Sequence, residues 1–353
     1  MKVFNTLSGK KENLVPIEEN KIKMYVCGMT VYDDTHIGHA RTFISFDLIV
    51  RYLRSINYEV HYIRNITDVD DKIIARAEEL NISPKELTEK YIDSMNEDFM
   101  SLGMIEPDSE PRATDNIDSI ISLIEILIEK GHAYEGDSDV YFSAESFDSY
   151  GKLSRRNLED MLAGARVDVD TDKKNPADFV LWKKNTEGLK WDSPWGAGRP
   201  GWHIECSAMS MDALGETFDI HGGGSDLKFP HHENEIAQSE CVTGKEFAKV
   251  WMHTGSLRID KEKMSKSLKN FVTIKDALEI NSPEVLRLFL ISSHYRSPLN
   301  YSEVGLNEAK NSLDRLYNSL QDLDYETKEY LQTKYSDKFH KAMGDDFNTP
   351  SAI

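Results

Sequence analysis

The stretch IKMYVCGMTVYDDTHIGHARTFISFDLIVRYLRSINYEVHYIRNI, residues 22–66, decides the fold. Residues 22–27 are a short apolar run that predicts a strand ending in a turn at Gly28. A helix is predicted from about Ile37, because apolar side chains then recur at spacings of three and four residues, at Phe43, Phe46, Val50 and Leu53. Residues 59–66 predict a second strand. A strand, a helix and a strand of these lengths form a βαβ unit, which indicates a parallel sheet covered by helices.

More helices are predicted on the C-terminal side of this unit. Ser83, Pro84 and Glu86 combine an N-cap residue, a proline at the first helical position and a glutamate three residues after the cap, so a helix begins there and runs to about Leu102. Another helix is predicted over roughly 116–130, ended by a glycine. Beyond residue 282 the sequence predicts helices only.

The middle of the chain has a different sequence pattern. Between residues 132 and 200, short strand-like pieces alternate with polar loops that contain glycine and proline. We interpret this part as an insertion between two halves of an α/β domain. The strand pattern resumes at 218–220, and a helix is predicted from about Pro230 to Val242.

The composition is that of an ordinary globular protein, with 353 residues, of which 39% are hydrophobic and 29% charged. The N-terminus lacks the apolar core of a signal peptide and no apolar run is long enough for a membrane span, so we expect a cytoplasmic protein without membrane contact. The formal net charge of −19 disfavours a general RNA binder. Basic residues cluster at 152–156, 173–184 and 258–269, and each cluster taken alone reads as a solvated face.

The chain contains three cysteines, Cys27, Cys206 and Cys241. An odd, sparse set in a cytoplasmic chain is not a disulfide framework. A buried thiol is the ordinary interpretation of each, and a metal ligand is the alternative.

The motif HIGH, residues 36–39, lies just after a predicted strand at the opening of a helix. Free backbone N–H groups and the helix dipole favour a phosphate there. Gly38 allows close approach of a nucleotide, and His36 and His39 could donate hydrogen bonds to an α-phosphate as charge builds in a transition state. Taken alone, HxGH is four common residues.

The motif KMSKS, residues 263–267, is polar and carries two lysines, Lys263 and Lys266. Ammonium groups suit the β- and γ-phosphates of ATP and could stabilise departing pyrophosphate. Taken alone, this motif reads as a solvated basic loop. HIGH near the N-terminus followed by KMSKS more than 200 residues later resembles the class I aminoacyl-tRNA synthetases.

The stretches YVCGMTVYDDTHIGHARTFISFD, YIRNITDVDDKII, GRPGWHIECSAM and DIHGGGSDLKFPHHENEIAQSE resemble cysteinyl-tRNA synthetases, and the resemblance runs from about residue 20 to 300. It implies a ligase that uses ATP with Mg²⁺ to activate L-cysteine and then charges tRNA(Cys). It also implies one Zn²⁺ per chain, held by Cys27, Cys206, His231 and Glu235. His231 and Glu235 are four residues apart in a predicted helix and so share a face, but no spacing rule would have paired Cys27 with Cys206.

The resemblance implies an α/β fold with a Rossmann-like parallel-sheet catalytic domain, an inserted connective domain and an all-helical C-terminal segment. The predicted boundaries are 1–112 and 201–255 for the two halves of the catalytic domain and 113–200 for the insertion. Residues 256–300 would be the KMSKS-containing stem-contact region, and 301–353 the start of a helical bundle. Because Asn348, Thr349 and Pro350 signal a helix start three residues before the end, we expect a chain cut short before an anticodon-reading part.

Further roles follow from the resemblance. His221 and Trp202 are expected to line the amino-acid pocket, and Thr30 and Asp226 to contact the substrate amine or the ribose. Gly222, Gly223 and Gly224 are interpreted as a close approach of backbone to adenosine. Each of these side chains also has an ordinary role as a packed or capping residue. We expect a monomer.

Three alternatives remain open. A mycothiol cysteine ligase activates cysteine in the same way but joins it to an amino-sugar. A zinc metallohydrolase would draw on His231 and His232, although the HExxH spacing is missing. An inactive tRNA-binding relic is disfavoured by the intact His36, His39 and Lys266.

Overall fold

The computed structural model describes residues 1–156, 172–185, 188–259, 271–321 and 333–353, together with the backbone of 262–263. The strands are β1 (Lys2–Asn5), β2 (Lys10–Asn13), β3 (Lys21–Thr30), β4 (Glu59–Thr67), β5 (Ala133–Glu135), β6 (Asp139–Phe142), β7 (Phe179–Lys184), β8 (Gly198–Pro200), β9 (Phe218–Gly224), β10 (Ala248–Thr254), β11 (Leu257–Ile259), β12 (Glu262–Lys263) and β13 (Leu299–Tyr301). The α-helices are α1 (Ile37–Ser55), α2 (Asp71–Leu80), α3 (Pro84–Ser101), α4 (Ile117–Glu129), α5 (Trp202–Leu214), α6 (Glu233–Thr243), α7 (Ile274–Ile280), α8 (Pro283–Ile291), α9 (Glu303–Leu320), α10 (Lys334–Met343) and α11 (Thr349–Ala352). Two 3₁₀ turns (Ala113–Asn116 and Ala144–Ser146) and a π-type turn (Lys228–His232) complete the helical elements of these residues.

The central sheet has the strand order β10-β9-β3-β4, and every neighbouring pair is parallel. Helix α1 connects β3 to β4, and its buried residues, among them Phe43 and Phe46, pack in the large core on one face. Helix α5 contributes Met209 and Leu214 to a second cluster with Tyr25 of β3 and Phe218 of β9. Helices therefore cover a parallel sheet, and the predicted βαβ unit and α/β fold class are confirmed.

The turn predicted at Gly28 is wrong, because β3 continues to Thr30. The register between β3 and β4 shifts between Val26 and Met29. At this irregularity the Gly28 N–H donates to the Asn65 side-chain oxygen at 2.8 Å, and a Cβ on Gly28 would overlap the Asn65 carbonyl oxygen. Glycine is therefore required for close approach of two strands rather than for a turn.

The inserted part forms a second sheet, β5-β6-β7-β8, whose neighbouring pairs are antiparallel. Together with α4 it forms a third hydrophobic cluster, which includes Leu127, Phe142 and Trp182 and is shared with residues of α5 and α6. Asp71, the first residue of α2, ties this sheet to the catalytic part through ion pairs with Lys183 (2.8 Å) and Arg199. The predicted domain boundaries themselves stay predictions.

The prediction of helices only beyond residue 282 is wrong at β13, which pairs in parallel with β11. Three residues are too few for a period-two signal, and the partner strand is distant in sequence. Helix α5 was also not predicted, because seven consecutive residues, 204–210, are buried and no polar stripe appears. Helix α6 begins at Glu233, and Pro230 lies in the π-type turn that directly precedes it.

Among the described residues, no helix combines the length and the apolar character that a membrane crossing requires.

Candidate active site and metal centre

A cavity of about 450 Å³ opens at the carboxyl ends of the central strands, the edge of a parallel sheet at which α/β proteins bind ligands. Its wall is formed by the ends of β3, β9 and β10, the start of α1, and single residues from α2 and α5. The predicted site residues that line it are Cys27, Thr30, His36, Gly38, His39, Trp202, Gly224 and Asp226. One cavity therefore joins the HIGH motif to a predicted metal ligand.

The HIGH motif caps α1 with its own side chains. The backbone N–H of His39 donates to His36 Nδ1 at 3.1 Å, and that of His36 donates to His39 Nδ1 at 3.3 Å. The two rings stack with centroids 3.6 Å apart. Because both Nδ1 atoms accept, the neutral form of each ring carries its proton on Nε2. Burial and the neighbouring His36 lower the pKa of His39 well below its ordinary value, so His39 is neutral at pH 7.

The four predicted metal ligands lie together. Their ligand atoms are within 4.8 Å of one another, and all four side chains are buried. Cys27 comes from β3, Cys206 from α5, His231 from the π-type turn and Glu235 from α6. His231 Nε2 lies 3.1 Å from Glu235 Oε1, and Cys27 Sγ lies 3.4 Å from the same oxygen. Two cysteines 179 positions apart are thus brought to one point by a helix that crosses the sheet.

The electrostatics of this cluster suit a soft divalent cation. The hydrogen bond from Cys27 lowers the pKa of Cys206 to about 6, against the effect of burial. For Glu235, burial would raise the pKa, but His221 and His231 hold it well below its ordinary value. The cluster therefore offers a thiolate and a carboxylate beside an imidazole and a second thiol. Zinc takes these donors in tetrahedral sites, so the residues fit the ion.

The expectation that His221 lines the amino-acid pocket stays a prediction. His221 is fully buried and absent from the cavity wall. Its Nε2 lies 2.7 Å from Glu235 Oε2, and its ring stacks on Trp251 with centroids 4.3 Å apart. His221 therefore contacts the Glu235 oxygen that faces away from Cys27 and His231. Hydrogen-bonding partners commonly orient metal ligands in this way. With His232, it also belongs to an overlapping set of possible ligands that shares Cys27 and Glu235.

Sequence reasoning missed the other histidines of this region. His203 Nδ1 lies 2.9 Å from His231 Nδ1, and His232 Nδ1 lies 2.9 Å from His253 Nε2. His253 Nδ1 in turn lies 2.8 Å from the Thr6 hydroxyl. Histidines that are buried usually have a hydrogen-bonding partner or a ligand, so the histidines of this region were candidates for a polar site. Their convergence from four segments is visible only in the three-dimensional structure.

Two of the three predicted nucleotide-approach glycines face protein instead. A Cβ on Gly222 would overlap the ring of Phe46 in α1, and one on Gly223 would come within 2.8 Å of His232. Only Gly224 of the three lines the cavity. Gly222 and Gly223 are small because a helix and a histidine pack directly on the strand, and their interpretation as nucleotide contacts stays a prediction.

We expect Gly222→Ala to lower the free energy of unfolding by about 1–3 kcal/mol, because an added methyl group overpacks a buried site against Phe46. Gly224→Ala is the matched control, since its Cβ would meet only the Asp226 carboxylate, which can rotate. Urea unfolding of the two variants measures the difference. Equal stability of both would contradict this packing role.

His253 predicts an acid-sensitive fold. Burial, followed by the charges of His221 and Lys228, lowers the pKa of His253 to about 3. The unfolded chain takes up a proton below about pH 6.5 while the folded chain does not, so this contribution to stability is present above that pH and is lost as pH falls toward 3.

Between about pH 7.5 and 5.5 the free energy of unfolding should therefore fall by ~1.4 kcal/mol more in the wild type than in His253→Asn. Urea titrations at both pH values measure this difference. An identical pH dependence in the two proteins would show that His253 titrates normally.

The KMSKS motif is described only in part. The backbone of Lys263 lies in β12, which pairs antiparallel with β11 opposite Arg258. Its side chain and the whole of Lys266 lie outside the described residues. Their predicted contacts with phosphates stay predictions.

Comparisons with known proteins agree with this geometry. Residues 13–311 match the family described as the tRNA synthetases class I (C) catalytic domain. A methionyl-tRNA synthetase from Mycobacterium tuberculosis, solved with methionyl-adenylate, superposes with a TM-score of 0.71 at 14% identity, over 94% of this chain and 80% of that one. A leucyl enzyme from Agrobacterium radiobacter, titled LeuRS-tRNA-LeuAMS, gives 0.66 at 11% identity, over 97% and 80%. The fold is that of a class I aminoacyl-tRNA synthetase.

Curated relatives show which family of class I synthetases the chain belongs to. A cysteine–tRNA ligase from Marinomonas is 58% identical over 355 residues, and one from Hahella chejuensis is 56% identical over 360. Both alignments cover 100% of this chain and 77% of the relative. The chain belongs to the cysteine–tRNA ligase family, which is a family of ATP-dependent ligases.

Proposed function

We propose that the chain joins L-cysteine to ATP, forming cysteinyl-adenylate and pyrophosphate, and then passes cysteine to the 3′ end of tRNA(Cys). The observation that carries this proposal is the single cavity that contacts both the HIGH imidazoles and Cys27 of the metal cluster. A substrate held by its sulfur at one end and by a phosphate at the other would fit between them. We further propose that Mg²⁺ accompanies ATP and that the chain acts as a cytoplasmic monomer.

In the first step, a carboxylate oxygen of cysteine attacks the α-phosphorus, a P–O bond forms, and the bond to pyrophosphate breaks. Negative charge grows on the oxygens of the α-phosphate. His36 and His39, with Nδ1 occupied by the cap, present Nε2–H as the donor of the ring. Donors held by a helix start need no rearrangement as the charge develops, which is the condition for electrostatic catalysis.

The amino-acid end of the cavity would use this chain's residues in a different way. Cys27, Cys206, His231 and Glu235 would hold zinc, which supplies a soft Lewis acid that lowers the pKa of a thiol. Trp202 lies against His231, with ring centroids 4.3 Å apart, and would cover the substrate side chain. Thr30 and Asp226 line the cavity and would contact the substrate amine or the ribose.

This arrangement would explain how cysteine is told apart from serine. Steric fit discriminates poorly between near-isosteres. A thiolate is a far better ligand for a soft ion than a hydroxyl that keeps its proton at neutral pH. Specificity would therefore rest on the metal cluster rather than on the shape of the cavity.

Cysteine-dependent exchange of pyrophosphate into ATP tests the first step, with serine in place of cysteine as the control. Transfer of labelled cysteine to tRNA(Cys), compared with transfer to a glucosaminyl-inositol acceptor, tests the second. Exchange that responds equally to serine would refute the role of the cluster in selection, and transfer to the amino-sugar would favour the mycothiol ligase.

A further inference from the structure

The segment that follows the KMSKS motif is joined to the loop that precedes HIGH. Ile37 N donates to the Val272 carbonyl at 3.2 Å, and Ile274 N donates to the Thr35 carbonyl at 3.0 Å. His36 and Thr273 form a bridge between these hydrogen bonds. The backbone next to Phe271 is thus fixed relative to the backbone of His36, although the two are far apart in sequence.

The loop before HIGH is also anchored on its other side. The Thr35 hydroxyl donates to the buried carboxylate of Asp98 in α3. Ser94, one turn earlier in α3, donates to Asp34 at 2.9 Å and accepts from Lys275 of α7 at 2.7 Å. The loop therefore has little freedom to shift, and the orientation of His36 depends on what packs against its ring.

Phe271 packs against that ring. The two rings are nearly perpendicular, at 86°, with centroids 5.1 Å apart, and Phe271 lines the cavity. His36 in turn stacks on His39 at an interplanar angle of 13°. Phe271, His36 and His39 form a continuous row of three rings from the segment that follows KMSKS to the start of α1. The edge-to-face contact of Phe271 with His36 is a favoured arrangement of aromatic rings.

We propose that Phe271 is a positioning residue for His36. Its ring sets the direction of the His36 Nε2–H bond and so links the segment from Phe271 to Ile274 to the donors of HIGH. The inference rests on the proposed function, because the phosphate is the group toward which these donors are aimed.

Phe271→Leu keeps an apolar side chain and removes the ring. We expect kcat for cysteine-dependent exchange to fall about tenfold, which corresponds to ~1.4 kcal/mol in the transition state, with KM for cysteine nearly unchanged. Phe147→Leu is the matched control, since Phe147 is likewise half-buried but packs between the cluster of the insertion and the cluster around Tyr25, and does not line the cavity. A wild-type kcat in Phe271→Leu would overturn the proposal, because an apolar side chain without a ring would then orient His36 equally well.

A double-variant comparison separates action through His36 from general damage. If Phe271 acts through His36, adding Phe271→Leu to His36→Ala should cost little beyond His36→Ala alone. Independent, multiplicative losses would overturn the proposal.

A readout without catalysis keeps this inference apart from the proposed function. In ¹H–¹³C NMR spectra, the His36 ring resonance, assigned by its loss in His36→Ala, should shift in Phe271→Leu and not in Phe147→Leu. An unchanged resonance would refute the positioning role even in an active enzyme. Absence of exchange in the wild type, with the shift present, would refute the proposed function alone.

Discussion

Cys206→Ser is expected to remove bound zinc and to lower cysteine-dependent exchange by about 100-fold or more, since changes even behind the ligands of metal sites cost 10–100-fold. Of the two cysteines in the cluster, Cys206 is the one whose pKa is lowered, to about 6, first by the hydrogen bond from Cys27 and then by His231 against the effect of burial. A serine hydroxyl at this place would keep its proton at pH 7 and would be a poor ligand for a soft ion.

The measurement is zinc per chain by atomic spectroscopy, together with the exchange rate. Cys241→Ser is the matched control, because Cys241 is also buried but lies in the hydrophobic cluster of the insertion and not among the possible ligands. It should keep both zinc and activity. Retention of one zinc and a normal rate in Cys206→Ser would mean that the four residues are a packed core.

His39→Ala is expected to lower kcat for adenylate formation by about 10²–10³-fold, the usual loss when one donor to a developing negative charge is removed. KM for ATP and for cysteine should change little, because the donor acts on charge that exists mainly in the transition state. The same change also removes the acceptor for the His36 N–H, so part of the loss comes from the cap.

Steady-state exchange kinetics with ATP and cysteine varied in turn measure this split. His61→Ala, which changes an exposed histidine on β4, is the control and should leave both constants unaltered. An increase in KM at constant kcat would show that His39 binds the ground state, and the assignment of a catalytic role would then fall.

Local patterns predicted the framework around these residues. The apolar stripe at Phe43, Phe46, Val50 and Leu53 was enough for α1, and the Ser83–Pro84 start was enough for α3, because both signals lie within a few turns of one helix. Gly28, by contrast, was interpreted as a turn. Its real task, a close contact with the Asn65 carbonyl on the next strand, involves a partner 37 residues away that no local pattern identifies.

In the metal cluster, too, local sequence pattern predicted some contacts and missed those between distant segments. Sequence pattern alone connected only His231 with Glu235, and the resemblance to a family was needed to add Cys27 and Cys206. His221 was assigned to the amino-acid pocket from the resemblance, and its Nε2 lies 2.7 Å from Glu235 Oε2 in the interior. Alternation along β9 decides which of these side chains points to α6, and that direction depends on the pairing of β9 with β3 and β10.

The sequence by itself determined the βαβ framework, the HIGH cap and the chemical types of the donors, because each depends on residues close together in the chain. Tertiary structure alone decided which donors meet, which glycines face protein and which ring lies against His36. Those outcomes depend on the order of the strands in the sheet and on the helices that pack on it. They require contacts between segments that are distant in sequence, and local interactions along the chain do not specify such contacts.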